Sequence, residues 1–240
     1  MSEAFIVSAV RTPVGLGKPQ GALAAVAPVD LAAAVMAEAI WRAGVEPGWV
    51  EDAIWGCVTP IGDQGGNLAR LAVMRAGLPV RVPAVTINRM CGSSQQAVHF
   101  AAQAILAGDM DLVLAGGTEM MSHQPLGADY PPKWPDKMPF ELVHQGVSAE
   151  MMAAKWSLTR EQLDDFGYES HLRAMHAIQN GHFKSQILPV ELPDGRIVTQ
   201  DEGVRMPPDR ERMRALKPVF KPDGVITAGN ASQISDGAAA

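Results

Sequence analysis

The residues Pro83-Ala-Val-Thr-Ile-Asn-Arg-Met-Cys91-Gly-Ser-Ser-Gln-Gln-Ala97 decide the fold of this chain. The apolar run over 83–90 predicts a buried strand, and the pattern from Gln95 to Gly108 predicts a helix. No turn signal separates the two, so the strand is expected to pass directly into the helix. The sequence therefore predicts a strand–helix unit with Cys91 at the N-terminal end of the helix.

The segments on either side of this unit alternate in the same way. Further strands are predicted at Ala4–Val10, Asp52–Thr59 and Asp111–Gly117, and further helices at Val29–Ala43 and Gly66–Gly77. The strands are short apolar runs, whereas the helices carry apolar residues at helical spacing. Alternation of this kind is typical of an α/β fold whose parallel or mixed sheet is connected by helical crossovers.

The alternation ends near residue 120. Prolines recur through residues 123–143, which predicts an irregular segment. A capping box at Thr159–Gln162 then predicts the start of a long helix that ends near Asn180. The remaining segments are predicted as short strands at Ile187–Leu192 and Gly195–Thr199, a strand-like run at Val225–Asn230, and the first turn of a helix at Ser235–Ala240.

Composition narrows the class of protein. The chain has 240 residues, of which 47% are hydrophobic, so it can build one large or two small cores, and disorder is excluded as its main state. No apolar run is long enough to span a membrane, and the first residues lack the basic stretch of a secretory signal. The net charge of −6 argues against nucleic acid as a partner. A reducing, cytoplasmic location is the expectation, because two cysteines make no disulfide framework.

Cys91 is the residue with the clearest chemical potential. Unpaired N–H groups at a helix N-terminus favour a thiolate and can stabilise an oxyanion when a thioester is attacked. The alternative is a buried structural cysteine, and the local sequence leaves both interpretations open. Cys57 lies inside a predicted strand and is interpreted as structural.

Other candidate motifs are weak. The six histidines form no HExxH or Cys-x-x-Cys pattern, so no metal site is expected. The glycines after residue 115 lack the lysine of a phosphate-binding P-loop. His144 precedes a predicted helix at Ser148–Trp156, although a lone histidine in a loop is more often a surface residue.

Four blocks of sequence nevertheless form a recognisable pattern when they are taken together. They are VSAVRTPVG at 7–15, NRMCGSSQQA at 88–97, GGTEMMS at 116–122 and TAGNASQISDGAAA at 227–240. In content, order and spacing they resemble the thiolases, the CoA-dependent acyltransferases that make or cleave 3-ketoacyl-CoA. The resemblance covers essentially the whole chain and corresponds to the N-terminal portion of the family.

The resemblance implies a layered α/β fold with a mostly helical insertion. Residues 1–118 and 225–240 would form the N-terminal thiolase core, and residues 119–224 the inserted loop domain that grips CoA. The C-terminal thiolase domain would be absent from this chain. An isolated core of this kind is expected to expose apolar surface and to self-associate.

The resemblance also assigns roles to five residues. Cys91 would be the nucleophile that carries the acyl group as a thioester. Arg205 would meet the nucleotide part of CoA, since a guanidinium suits phosphate and stacks on adenine. His144 and Ser232 would line the pantetheine channel, with Ala228 on the same wall. CoA and acyl-CoA would be substrates, and no further cofactor is implied.

Several positions depart from the family pattern. Ser94 replaces the usual glycine of the nucleophile block, while Gln233 and Ser235 replace Gly and Asn in the last block. Gln145 stands where biosynthetic members carry methionine, which favours a degradative enzyme of fatty acid metabolism and β-oxidation. The histidine that serves as general base and the second cysteine lie in motifs that do not occur here, so the chain alone is expected to be inactive.

Two alternatives remain open at this point. A decarboxylating 3-ketoacyl synthase of the same superfamily would take its acyl group from a carrier protein. A non-catalytic chain would bind CoA without turnover. Complete members of the thiolase family are typically homodimers or homotetramers, which is the assembly the resemblance implies.

Overall fold

The computed structural model describes residues 3–240, which form two compact units. One unit holds the residues up to Asp129, Lys184–Gly203 and Ile234–Ala240, and the other holds Tyr130–Phe183 and Val204–Gln233. Packing therefore divides the chain differently from the predicted insertion at 119–224. Residues 184–203 lie in the first unit because they hydrogen-bond there, for example through Leu188 N to Arg11 O at 2.8 Å.

The first unit holds the strands of the described residues and three helices. The strands are β1 (Gly15–Leu16), β2 (Asp52–Gly56), β3 (Ala84–Ile87), β4 (Val113–Met120), β5 (Val190–Glu191), β6 (Ile197–Val198) and β7 (Ser235–Ala239). The helices are α1 (Pro28–Ala43), α2 (Leu68–Arg75) and α3 (Ser93–Ala107). Short 3₁₀ turns lie at Pro47–Trp49 and Gly62–Gln64.

The main sheet is mixed and runs in the order β1-β7-β4-β2-β3. Strands β2, β3 and β4 are parallel, with α2 and α3 as the crossovers between them. Strand β7 pairs antiparallel with both β4 and β1. The predicted α/β class, with a mixed sheet and helical crossovers, is confirmed, and the strands β5 and β6 form a separate hairpin.

The larger hydrophobic cluster lies under one face of this sheet, and a smaller one of Ile54, Ala97 and Ala101 lies under helix α3. Helix α1 turns Leu31, Val35 and Met36 inward, and each is fully or almost fully buried. Burial of such a side chain is worth about 1.5–3 kcal/mol. Trp55 of β2 is also buried, and its Nε1 donates to Thr118 Oγ1 at 3.0 Å, so its polar atom is satisfied. Helix α1 ends where Gly44 adopts a left-handed conformation, as its sequence indicates.

The prediction of a buried strand at Ala4–Val10 is wrong. Phe5, Ile6 and Val7 are exposed by 73%, 79% and 65%, and no strand is assigned there. Backbone pairing starts only at Val10, which exchanges two hydrogen bonds of 2.9 Å with Ala240. Within residues 3–240, no strand runs beside the residues that precede Val10.

The prediction of a helix at the end of the chain is also wrong, because Ser235–Ala239 is strand β7. The alanines at 238–240 have a high helix propensity, but this weak preference is overridden here because the backbone pairs with a strand on each side. Thr12 reinforces the pairing, since its N–H donates to Ala238 O at 2.9 Å and its Oγ1 accepts from Ala238 N at 3.1 Å.

The second unit is helical, as expected. It contains α4 (Gln145–Lys155), α5 (Arg160–Gln179) and α6 (Arg210–Arg214). The capping box at Thr159 and Gln162 is present in both directions and starts α5. The strand-like run at Val225–Asn230 is instead a turn, held by side chains of α4 and α5.

Candidate active site

Cys91 lies at the junction that the sequence singles out. Strand β3 ends at Ile87, and Cys91 is exposed two residues before helix α3 begins. Met90, just before it, has a φ of 49°, in the left-handed region that residues other than glycine rarely adopt. The chain therefore turns sharply at this point and presents the cysteine to solvent.

Two side chains hold this turn. Asn88 Oδ1 accepts from Met90 N at 2.8 Å, and Asn88 Nδ2 donates to Val58 O at 2.8 Å. The buried Ser93 accepts from Arg89 N at 2.9 Å through its Oγ and donates to Met90 O at 2.6 Å. The unusual backbone at Met90 is thus stabilised from both sides of the turn.

The N-terminal end of α3 also approaches the sheet unusually closely. A Cβ atom on Gly117 would lie 1.9 Å from Ser94 Oγ, and one on Gly56 would lie 2.4 Å from Ser94 N. Both positions therefore require glycine, because any side chain would displace the helix. Gly116 and Gly117 lie within β4, and the packing role of Gly117 was not predictable from the glycine pair alone.

The helix end offers donors that no protein group uses. Within residues 3–240, the N–H groups of Ser94 and Gln95 have no hydrogen-bond acceptor. Such groups carry partial positive charge and favour an anion nearby. Cys91 is exposed and precedes these two amides by three and four residues, an arrangement that fits a nucleophile at a helix N-terminus, where N–H groups can stabilise the oxyanion of an attacked carbonyl. The alternative of a buried structural cysteine is excluded, because Cys91 is exposed.

Cys57 has the opposite surroundings. It is 0% exposed, and burial, followed by the nearby negative charge of Glu119, raises the pKa of its thiol to about 12. Glu119 itself accepts from Val58 N at 2.6 Å and from Gln64 Nε2 at 3.0 Å. Cys57 is therefore a packed, protonated thiol, in agreement with its interpretation as structural.

His144, in the second unit, is exposed and caps helix α4. Its Nδ1 accepts from Gly146 N at 3.1 Å, and its ring stacks on Phe220 with centroids 5.2 Å apart. A Cβ on Gly146 would lie 2.3 Å from the Phe220 ring, which explains the glycine. Since Nδ1 is used by the cap, Nε2 is the ring nitrogen left for other contacts.

Ala228 and Ser232 are both exposed, around a tight turn that begins at the fully buried Thr227. Thr227 O accepts from Asn230 N at 3.2 Å and from Ala231 N at 3.0 Å. The side chain of Asn230 closes the turn, because its Oδ1 accepts from Thr227 N at 2.8 Å.

Arg205 is exposed, and no carboxylate pairs with its guanidinium among residues 3–240. Its backbone N–H donates to His171 Nδ1 at 3.2 Å. Burial, and then the charge of Arg205, lower the pKa of His171, so this histidine is neutral at pH 7. The guanidinium is therefore available for an anionic group such as a phosphate.

Contacts inside the second unit connect His144 at the start of α4 with the turn that carries Ala228 and Ser232. His144 caps helix α4, which carries Glu150, and the Glu150 carboxylate accepts from Val225 N and Ile226 N at 2.9 and 2.8 Å. These residues lead directly into the turn of Ala228 and Ser232. Sequence reasoning missed Glu150 and Phe220, since neither lies in a recognisable motif.

Among residues 3–240, no group of three or more His, Cys, Asp or Glu side chains is gathered as a metal ion would need. None of the helices in the described part of the chain combines the length and apolar character required to cross a membrane.

Comparison with known proteins agrees with these features. The family model described as the N-terminal domain of thiolase matches residues 4–240. The chain is 41% identical to the steroid 3-ketoacyl-CoA thiolase of Mycobacterium tuberculosis, 43% to the 3-ketoacyl-CoA thiolase of Bacillus subtilis, and 42% to that of Vibrio vulnificus. Each similarity covers 100% of this chain.

The chain belongs to the thiolase family, and it corresponds to the N-terminal domain of that family. It spans 61% of the length of the Mycobacterium relative, 65% of the Bacillus relative and 64% of the Vibrio relative. The family assigned from the four sequence blocks is therefore confirmed.

Proposed function

We propose that this chain supplies the nucleophile and most of the CoA contacts of a 3-ketoacyl-CoA thiolase, an acyltransferase. The observation that carries the proposal is that Cys91 is exposed two residues before the start of helix α3, where the N–H groups of Ser94 and Gln95 have no acceptor among residues 3–240. The relatives whose names specify 3-ketoacyl-CoA support the choice of substrate class.

The chemistry proceeds through an acyl-enzyme in two steps. The Cys91 thiolate attacks the 3-keto carbon of a 3-ketoacyl-CoA, the C2–C3 bond breaks, and C2 takes up a proton to leave as acetyl-CoA. The acyl group stays on Cys91 Sγ until the deprotonated thiol of free CoA attacks it, which releases the shortened acyl-CoA and restores the thiolate. The reverse sequence is a Claisen condensation.

The proton transfers need groups outside the motifs of this chain. In the family, a histidine activates the nucleophilic cysteine, and a second cysteine moves the proton at C2. Neither motif occurs in these 240 residues. We therefore expect the chain alone to accept an acyl group on Cys91 without sustained turnover.

The proposed CoA contacts each have a physical basis. The unpaired Arg205 guanidinium suits the phosphates and adenine of the nucleotide. His144 keeps its Nε2 free, and Ser232 and Ala228 offer a small, exposed hydroxyl and methyl surface for the pantetheine arm. These four residues stay predictions until ligand binding is measured.

Direction, compartment and assembly also belong to the proposal. Gln145 in place of methionine favours degradation of fatty acyl chains by β-oxidation over synthesis of acetoacetyl-CoA. A cytoplasmic location is proposed from the reducing environment that two free cysteines need. A homodimer or homotetramer is proposed from the family.

Transfer of a labelled acetyl group tests the proposal against its alternatives. Acid-precipitable label should appear on the protein from acetyl-CoA and not from an acetylated carrier protein, and Cys91→Ser should remove it. Label taken preferentially from the carrier protein would favour a decarboxylating ketoacyl synthase. Binding of CoA in isothermal titration without any label would favour a non-catalytic CoA-binding chain.

A further inference from the structure

Glu150 is a buried carboxylate on helix α4 that the proposed chemistry does not use. It is only 8% exposed, and no cationic side chain pairs with it among residues 3–240. Its two oxygens accept from the consecutive amides of Val225 and Ile226 at 2.9 and 2.8 Å. A buried charge of this kind needs such partners, so the contact is specific and costly to break.

The chain around Gly224 is shaped to this carboxylate. A Cβ atom on Gly224 would lie 2.1 Å from Glu150 Oε1, so only glycine lets the backbone approach. Ile226 O in turn accepts from Val219 N at 3.0 Å, which closes a loop that carries Phe220. Glu150 therefore fixes one end of this loop against helix α4.

The same loop and helix carry the residues assigned to the pantetheine arm. His144 caps the start of α4 and stacks on Phe220, while Ala228 and Ser232 follow Ile226 by two and six residues. The hydrogen bonds of Glu150 and the stacked rings of His144 and Phe220 join these two segments. The spacing between His144 and Ser232 thus depends on this carboxylate.

We propose that Glu150 is a positioning residue that sets the pantetheine wall formed by His144, Ala228 and Ser232. This inference rests on the proposed CoA binding. The clamp consists of the two hydrogen bonds that Glu150 accepts from Val225 N and Ile226 N. Its loss lets the loop leave its binding-competent position, which weakens binding of the pantetheine arm in proportion to the population lost. The nucleotide end of CoA, assigned to Arg205, makes no use of this clamp.

Glu150→Gln tests the inference, because the side-chain NH2 group of the glutamine would replace one carboxylate oxygen. This donor would then face the backbone N–H of Val225 or Ile226, which is itself a donor. We expect the Kd for CoA to rise about tenfold and the Kd for adenosine 3′,5′-bisphosphate, which lacks the arm, to stay within about twofold. In acylation of Cys91 by acetyl-CoA, the concentration for half-maximal rate should rise while the maximal rate is kept.

Two further variants keep the test sharp. Gly224→Ala perturbs the same contact from the loop side and should give the same pattern. Glu169→Gln, which removes an exposed carboxylate paired with Arg173 at 2.8 Å on α5, should change neither affinity. Circular dichroism checks that each variant is folded.

The possible outcomes distinguish failure of the positioning role of Glu150 from failure of the proposed CoA binding. If Glu150→Gln and Gly224→Ala leave the Kd for CoA unchanged, Glu150 does not position the wall. If both probes weaken equally, the unit as a whole is disturbed and the inference also fails. If the unmodified protein binds neither probe, the proposed function fails, and the inference fails with it.

Discussion

At the scale of single residues, the fold separates two chemically identical thiols. Cys91 is exposed just before the N-terminus of α3, whereas Cys57 is buried near Glu119 and the pKa of its thiol is raised to about 12. We expect iodoacetamide at neutral pH to alkylate Cys91 and to spare Cys57 until the protein unfolds, because the thiolate is the reactive form. Peptide mapping after a timed quench measures this, and equal labelling of both cysteines in the folded state would refute it.

His123 gives the protein a pH-dependent contact in the first unit. Its Nδ1 lies 2.5 Å from Asp63 Oδ2 and its Nε2 lies 2.8 Å from Ala24 O, so both nitrogens face acceptors. Burial opposes the charge, but the hydrogen bonds to Asp63 and Ala24 and the charges of Asp63 and Asp236 outweigh it and raise the pKa of His123 above 6.5.

A raised pKa makes the stabilisation by His123 complete below pH 6.5 and removes it as the pH rises through the folded-state value. We expect the free energy of unfolding to be higher at about pH 6 than at about pH 9, and His123→Gln to reduce this difference. Urea unfolding at the two pH values measures both. An identical pH dependence in His123→Gln would show that another group is responsible.

The chemistry at this scale was partly predictable from the sequence. The position of Cys91 between an apolar run and a helical pattern was sufficient to predict it as a candidate nucleophile, because this signal is local. The stacking of His144 on Phe220 and the hydrogen bonds of Glu150 were not predictable, since each depends on a residue far along the chain, Phe220 and Val225 respectively.

At the scale of elements, helix α3 owes its position to glycine. Gly117→Ala would place a Cβ 1.9 Å from Ser94 Oγ and 2.8 Å from Gly56 O, so the start of the helix must move. We expect a loss of about 1–3 kcal/mol in stability and slower alkylation of Cys91. Combination with Ser94→Gly should recover part of the loss, and Ser94→Gly alone should be tolerated. A Gly117→Ala variant with unchanged stability and reactivity would contradict this packing.

The elements with their own periodicity and caps were predictable, such as α1 ending at Gly44 and α5 beginning at Thr159. The errors arise where tertiary pairing decides. Residues 235–239 have the composition of a helix but lie between two strands, and residues 4–10 have the composition of a strand but pair only from Val10 onward.

At the scale of the whole molecule, apolar surface remains uncovered in the described chain. Phe5, Ile6 and Val7 are exposed in succession, and contiguous apolar patches drive association. We expect the protein to self-associate and Ile6→Lys to weaken this. Val80→Lys, at an equally exposed valine between Pro79 and Arg81, should not. Sedimentation across a range of concentrations measures it, and a monomer at every concentration would contradict it.

The division of the chain into two units was only partly predictable from the sequence. The changes of pattern near residues 120 and 225 predict an insertion, whereas the two units separate first after Asp129 and last after Gln233. The inclusion of residues 184–203 in the sheet-bearing unit was not predictable, because it rests on contacts such as those of Asp201 with Arg11 and of Glu202 with Leu16 N and Ala22 N.

We propose that Cys91 takes the acyl group of a 3-ketoacyl-CoA as a thioester. Incubation with acetoacetyl-CoA, an acid quench and mass spectrometry of the digested protein test this step. The account predicts an acetyl adduct on the peptide that carries Cys91, kept in Cys57→Ala and lost in Cys91→Ala. Absence of the adduct, or its appearance on another residue, would contradict the account.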